Sequence, residues 1–186
     1  MPAQITQRLV LRELSLNQLR LLVSDQDHFK QELNIGLADA VLDENVSDAL
    51  NFVVSLFNGK ENEFGPWSTF WLMILKEKRD GIGLIGFKGT PDIRGDVEVG
   101  YGIAPAWRRK GLTTEALLGM LTWAFDQPGC KAVRADCYQT NKASIRVLEK
   151  AGFHLVARKA NMLGWIYEKE SWKTRNKKSS LLQEYL

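Results

Sequence analysis

The chain has 186 residues, 45% hydrophobic and 25% charged, with a formal net charge of +3. That length suits one domain with a sizeable core, and the composition is that of an ordinary soluble globular protein, which sets disordered and fibrous classes aside. The small positive excess suits an anionic small ligand and falls short of the dense basic face expected of a nucleic-acid binder, so no nucleic-acid partner is expected.

Met1-Pro-Ala-Gln has neither the charged n-region nor the apolar h-region of a signal peptide. No apolar run approaches the roughly 20 residues that span a bilayer. The expected location is therefore the cytoplasm, with no membrane partner. Cys130 and Cys137 stand seven positions apart, which matches no common zinc spacing. Both are expected reduced, and no metal is expected.

Arg8 to Glu13 predicts a first strand. Ser15 caps a predicted helix reaching Leu33, with Leu19, Leu22 and Val23 on its apolar side. Asn34 to Leu42 is turn-rich. Asp43 to Phe57 predicts a second helix, stopped by Asn58-Gly59. After Gly65-Pro66 the pattern turns to period two and apolar runs. Strands are predicted at Phe70 to Leu75, Gly83 to Lys88 and Asp96 to Ile103, with Arg79-Asp80-Gly81 as the hairpin turn between the first two. The third places Val97, Val99, Tyr101 and Ile103 on one face and Glu98, Gly100 and Gly102 on the other.

A wide helical stripe follows from Leu112 to Phe125, ended by Gln127-Pro-Gly129. Ala132 to Tyr138 predicts a strand, and Asn141 to Ala151 a helix closed by Gly152. Phe153 to Arg158 and Gly164 to Trp172 predict the last strands. Residues 1–172 thus form one expected domain, and 173–186 a polar tail that is basic at first. Consecutive strands in the middle and a strand–helix–strand unit later imply a mixed sheet with helices on its faces.

Arg108-Arg-Lys-Gly-Leu-Thr113 sits between a strand and a helix start. A helix N-terminus carries unpaired N–H groups and a partial positive charge, and so attracts anions. Gly111 leaves room for close backbone approach, and the arginines and lysine add charge. The loop alone fits either a phosphate cradle or a basic surface turn. It is neither a nucleotide P-loop nor a dinucleotide-binding fingerprint.

A second stretch, Asn141-Lys-Ala-Ser144 through Glu149-Lys-Ala-Gly-Phe153, follows a strand and opens another helix. With it the sequence resembles the GNAT superfamily of acetyl-CoA-dependent N-acetyltransferases. Arg108 to Thr113 resembles that family's Q/R-x-x-G-x-G/A motif, and Asn141 to Phe153 its downstream motif. The opening Thr6-x-Arg-Leu-x-Leu-Arg12 is similar to the ribosomal-protein-alanine N-acetyltransferase branch. The resemblance covers residues 6 to 172 and implies an α/β (α+β) fold, a mixed central sheet of about seven strands flanked by helices.

It also implies roles. Backbone N–H groups of Arg109, Lys110, Gly111, Leu112 and Thr113 would hold the pyrophosphate of acetyl-CoA, with Arg108 and Lys110 adding charge. Ile103 and Ala104 would offer strand-edge groups to the pantetheine arm. Asn141 would bond that arm, and Ser144 would sit near the thioester sulfur. Thr113 departs from the small residue usual at the motif's end; its hydroxyl offers a further phosphate contact. The tyrosine that many members carry near the end of the downstream helix is absent, since Val147-Leu148-Glu149-Lys150 stands there.

Acyl transfer needs a neutral amine, and a free alkyl amine is mostly protonated at pH 7, so a base helps. Glu98 is the candidate base, alongside its reading as a solvated or salt-bridged strand carboxylate. Ser144, or Tyr138, stands in for the missing tyrosine; Ser144 also fits a plain helix first turn and Tyr138 a strand-end packing role. Trp67, Phe70 and Trp71 read better as core than as an acceptor pocket, and His28 and His154 as structural.

The expected function is transfer of an acetyl group from acetyl-CoA to a primary amine, a peptide N-terminus or a small molecule, by direct attack in a ternary complex. The alternative is a non-catalytic acyl-CoA-binding or sensor module. A homodimer is compatible with the sequence and not specified by it.

Overall fold

The structure is a computed structural model that describes residues 3–175. The strands are β1 (Ala3–Ile5), β2 (Leu9–Glu13), β3 (Gly36–Leu37), β4 (Phe70–Leu75), β5 (Asp80–Phe87), β6 (Asp96–Ile103), β7 (Ala132–Tyr138), β8 (His154–Lys159) and β9 (Met162–Glu168). The helices are α1 (Leu16–Ser24), α2 (Gln26–Leu33), α3 (Glu44–Leu56), α4 (Leu112–Asp126) and α5 (Lys142–Ala151). One mixed sheet runs β1-β2-β4-β5-β6-β7-β9-β8, with β3 added beside β5. All its ladders are antiparallel except β3·β5 and β6·β7.

Each face of the sheet carries its own core. On one, Val97, Val99, Val133 and Ala135 pack with Leu117, Met120 and Leu121 of α4 and Leu148 of α5. On the other, Leu72, Ile74 and Leu84 pack with Leu19, Leu22, Phe29 and Leu50 of α1, α2 and α3. Trp71 is fully buried, and Trp67 and Trp71 pack at steep angles against Trp123 with ring centroids 4.6 and 5.1 Å away. That cluster makes both of them core residues. Cys130 and Cys137 are free and buried.

Four boundaries differ from the sequence pattern. The single helix predicted over 15–33 is two, because Asp25 leaves helical geometry (φ −152°, ψ 83°). Its N–H closes α1 on the Leu21 carbonyl while its side chain caps α2 by accepting from the His28 N–H. The β4–β5 turn comes earlier than predicted: Arg79 takes the left-handed φ of 56°, so Asp80 and Gly81 already pair with Leu75 and Ile74. β1 and β3 are additional short strands, one an edge and the other a two-residue addition beside β5. The last strand stops at Glu168, and residues 169–175 are helical. There Arg175 Nη1 donates to the Ala151 carbonyl at the end of α5 (2.8 Å). The remainder of the predicted polar tail, 176–186, lies outside the described residues.

Candidate active site

β6 and β7 pair only from Asp96–Ala132 to Glu98–Arg134, although both strands run on, to Ile103 and Tyr138. The parallel ladder therefore ends and leaves a gap in the middle of the sheet. Hydrogen-bond phase shows which groups face it. Lys88 N–H donates to the Glu98 carbonyl and Ala104 N–H to the Ile82 carbonyl (both 2.9 Å). Even-numbered residues of β6 thus turn their backbone groups to β5, and Val99, Tyr101 and Ile103 turn theirs to the gap. Ile103 is a strand-edge residue in the predicted sense. Ala104 is not: it is fully buried, its N–H is spent on Ile82, and its carbonyl accepts from Trp107 N–H.

The basic loop lies where β6 hands over to α4. Arg109 (φ 62°) and Gly111 (φ 75°) are both left-handed, and Gly111 is the cap residue of α4. Among the described residues, the N–H groups of Arg109, Lys110, Gly111, Leu112 and Thr113 meet no protein acceptor. Five orphan donors in a curl at a helix start form an anion nest with the dipole behind it. An added Cβ on Gly111 meets only Arg8 Nη2, at 3.6 Å. The positive φ is one reason a glycine suits this place, and the missing Cβ, which leaves the backbone open to close approach, is the other.

The loop side chains divide the work. Arg108 Nε donates to the Ile103 carbonyl (3.4 Å). Lys110 Nζ rests 4.5 Å from the centroid of the Trp107 ring. Thr113 is only 8% exposed, so its side chain packs inward at the root of α4.

The downstream motif faces the loop across the gap. Asn141 Oδ1 accepts the Ser144 N–H (3.0 Å) and caps α5. That leaves the Asn141 amide N–H groups for another partner. Ser144 Oγ lies 2.9 Å from the Tyr101 hydroxyl, a bridge from α5 to β6. Burial pushes the Tyr101 phenol up to about 12, with the Ser144 hydrogen bond pulling the other way. Tyr101 was placed on this face by the period-two pattern, yet its contact with Ser144 joins residues 43 apart in the chain, and no local signal announces it.

Glu98 lies on the opposite face of the sheet from Tyr101 and Ser144. It stands at the last paired rung before the gap, half-buried and in an ion pair with Lys88. Gly100 and Gly102 continue its row. A Cβ on Gly102 would come 2.9 Å from Val46 Cγ2 of α3, and one on Gly100 3.9 Å from Lys88 Cε. The row is a strip bare of side chains, with Glu98 at its end. On β7 the same face carries Arg134, which pairs with Asp96 (2.6 Å), and the exposed Tyr138. Tyr138 thus neither packs at the strand end nor lies on Ser144's side of the sheet.

Residues 8–154 match the acetyltransferase (GNAT) domain. The chain belongs to the GNAT acetyltransferase family. Among curated relatives, the uncharacterized N-acetyltransferase YjdG of Bacillus subtilis is 34% identical over 97 residues; the match covers 52% of this chain and 58% of YjdG. The chain thus matches just over half the length of that relative. Among solved structures, RimL, a ribosomal alpha-N-protein acetyltransferase in complex with coenzyme A, superposes with TM-score 0.61 at 15% identity, covering 90% of this chain and 98% of RimL. A spermidine N-acetyltransferase SpeG chimera from Vibrio cholerae and hSSAT superposes with TM-score 0.63 at 16% identity, covering 89% of this chain and 98% of the chimera. At those identities the structures share the fold.

Proposed function

We propose that this GNAT enzyme moves the acetyl group of acetyl-CoA to a primary amine by direct attack within a ternary complex. The observation that carries this is the β6–β7 gap, with the orphan donors of Arg109 to Thr113 at one end and Glu98 and Ser144 on its two faces. RimL, of the same fold, is in complex with coenzyme A. The two named neighbours act on a protein α-amine and on spermidine. A primary amine is their common chemistry, and a peptide N-terminus or a small amine fits this chain.

The loop N–H groups hold the pyrophosphate, and Arg108 and Lys110 add positive potential. Backbone groups of Val99, Tyr101 and Ile103 hold the pantetheine amides as a strand would, and the free Asn141 N–H adds a further bond. Glu98 faces the acceptor, takes a proton from its ammonium and frees the nitrogen lone pair. The ion pair with Lys88 holds the Glu98 carboxylate in place beside the strip. Ser144 Oγ, fixed by Tyr101, donates a hydrogen bond to the departing sulfur. With its pKa near 12, Tyr101 keeps its proton at working pH and acts as a fixed donor to Ser144. The C–S bond breaks as the C–N bond forms. Of the two protons the ammonium loses, one ends on the thiol and one leaves through Glu98 to solvent.

The deciding experiment is a screen of acetyl-CoA turnover against peptide and small-amine acceptors, read as thiol release. Amine-dependent release is expected. Tight CoA binding with no release against any primary amine would instead support the non-catalytic module.

A further inference from the structure

We propose that Arg8 is a positioning residue for the phosphate cradle: it clamps the Lys110–Gly111 peptide so that the Gly111 N–H points into the nest. This rests on the cradle reading of the Arg109–Thr113 loop.

Arg8 belongs to the turn between β1 and β2, 102 residues from Lys110 in sequence. Its guanidinium is held on both sides. Nε donates to Glu115 Oε2 (2.7 Å), and Nη1 donates to the Lys110 carbonyl (3.0 Å). Glu115, in the first turn of α4, is itself fixed. Its Oε1 accepts from the Thr6 hydroxyl and from the Arg8 backbone N–H, each at 2.6 Å, and its side chain is 15% exposed. Burial alone would raise the Glu115 carboxyl; the bonds from Thr6 and Arg8 and the Arg8 charge outweigh it and hold the carboxyl below the ordinary range. An isolated surface ion pair contributes little because both side chains must be ordered first. Here Thr6, the Arg8 main chain and the α4 first turn have already ordered the partner.

The peptide plane supplies the link to the ligand. In a trans peptide the carbonyl and the following N–H point in opposite directions. The described residues contain no cis peptide. With the Lys110 carbonyl bonded on the Arg8 side, the Gly111 N–H faces away from Arg8, toward the other loop donors. Without that bond the plane can turn about Lys110 ψ and Gly111 φ, and Gly111 has no Cβ to oppose the rotation. The N-terminal Thr6-x-Arg8 segment is thereby a brace for the loop.

CoA and pantetheine binding to the full chain, by calorimetry, with steady-state kinetics, tests the assignment. Arg8→Ala is expected to weaken CoA about tenfold, to leave pantetheine unchanged because it lacks the pyrophosphate, and to raise KM for acetyl-CoA with little change in kcat. Arg8→Lys keeps the charge but cannot reach Glu115 and the Lys110 carbonyl together, so it is expected to lose nearly as much. Glu115→Gln should give a smaller loss in the same direction. Wild-type CoA affinity in Arg8→Lys would make Arg8 a charge only and overturn the proposal. Equal loss of CoA and pantetheine, or a fall in kcat at unchanged KM, would also overturn it. A wild-type protein that binds pantetheine and CoA equally would remove the cradle itself, a failure distinct from that of the clamp.

Discussion

The Arg109–Thr113 loop and the Glu98–Gly100–Gly102 strip border the same gap but are built from different material. In the proposed function the loop would work through main-chain donors, and its geometry rests on two left-handed residues, a helix start and a missing Cβ. The strip would work through one carboxylate and two absent side chains, and its walls come from Val46 of α3 and Lys88 beyond β5. A main-chain site is nearly indifferent to side-chain identity except where geometry demands glycine. A side-chain site changes its preference with each wall residue. The donor end can therefore stay constant while the acceptor end varies.

Substitutions on the two sides should separate cleanly. The largest effect is expected at the strip. Glu98→Gln should lower kcat at neutral pH by about 100-fold, the usual worth of a general base, with CoA affinity unchanged. The deficit should shrink as pH rises and the acceptor amine loses its proton unaided, and an unaltered pH–rate profile would remove Glu98 as base. At the loop, Gly111→Asp places a side chain where the backbone is otherwise open to close approach and sets like charge against phosphate. CoA affinity by calorimetry should fall about 50-fold, beyond the tenfold that 1.4 kcal/mol represents; retained affinity would mean that the loop is only a turn.

Smaller effects sharpen the bridge between the two sides. Ser144→Ala should slow turnover about tenfold with CoA still bound, roughly the weight of one hydrogen bond to a charged group. Wild-type turnover would return Ser144 to capping α5. The same substitution removes the hydrogen bond that lowers the Tyr101 pKa, so burial should push the phenol further up, read as a later tyrosinate absorbance step. Smallest is the acid stability. Because the folded Glu115 carboxyl lies below its ordinary 4.5, its contribution is present above that pH and lost as pH falls through the folded value. Glu115→Gln should flatten the melting temperature against pH in that acid window, and a slope equal to wild type would show that Arg8 and Thr6 do not hold the carboxylate.

Much of this was legible in the chain itself, for local reasons. The alternation of Val97, Val99 and Tyr101 against Glu98, Gly100 and Gly102 fixes two faces of a strand by pleat alone. The Gly111 break before Leu112 marks a helix start, because orphan N–H groups need either a cap or a ligand. The helix predicted from Asn141 and closed by Gly152 is present, and the structure makes Asn141 its cap. Where local signals competed, the pattern misjudged: Asp25 ended one helix and began another inside a continuous apolar stripe. Of the predicted turn Arg79-Asp80-Gly81 only Arg79 lies outside the strand, in the left-handed region, and the final apolar run ended at Glu168.

What only the tertiary structure decided is which distant pieces meet. That β6 and β7 part after Glu98 depends on the packing of the layers on either side, and no residue between 96 and 103 encodes it alone. The Tyr101–Ser144 bridge, the Arg8 clamp on Lys110 and the wall that Val46 sets beside Gly102 each join residues tens of positions apart. Short-range periodicity carries backbone conformation because steric limits act between neighbours. Side-chain partners are chosen by how whole layers stack, and so they become visible once the chain is folded.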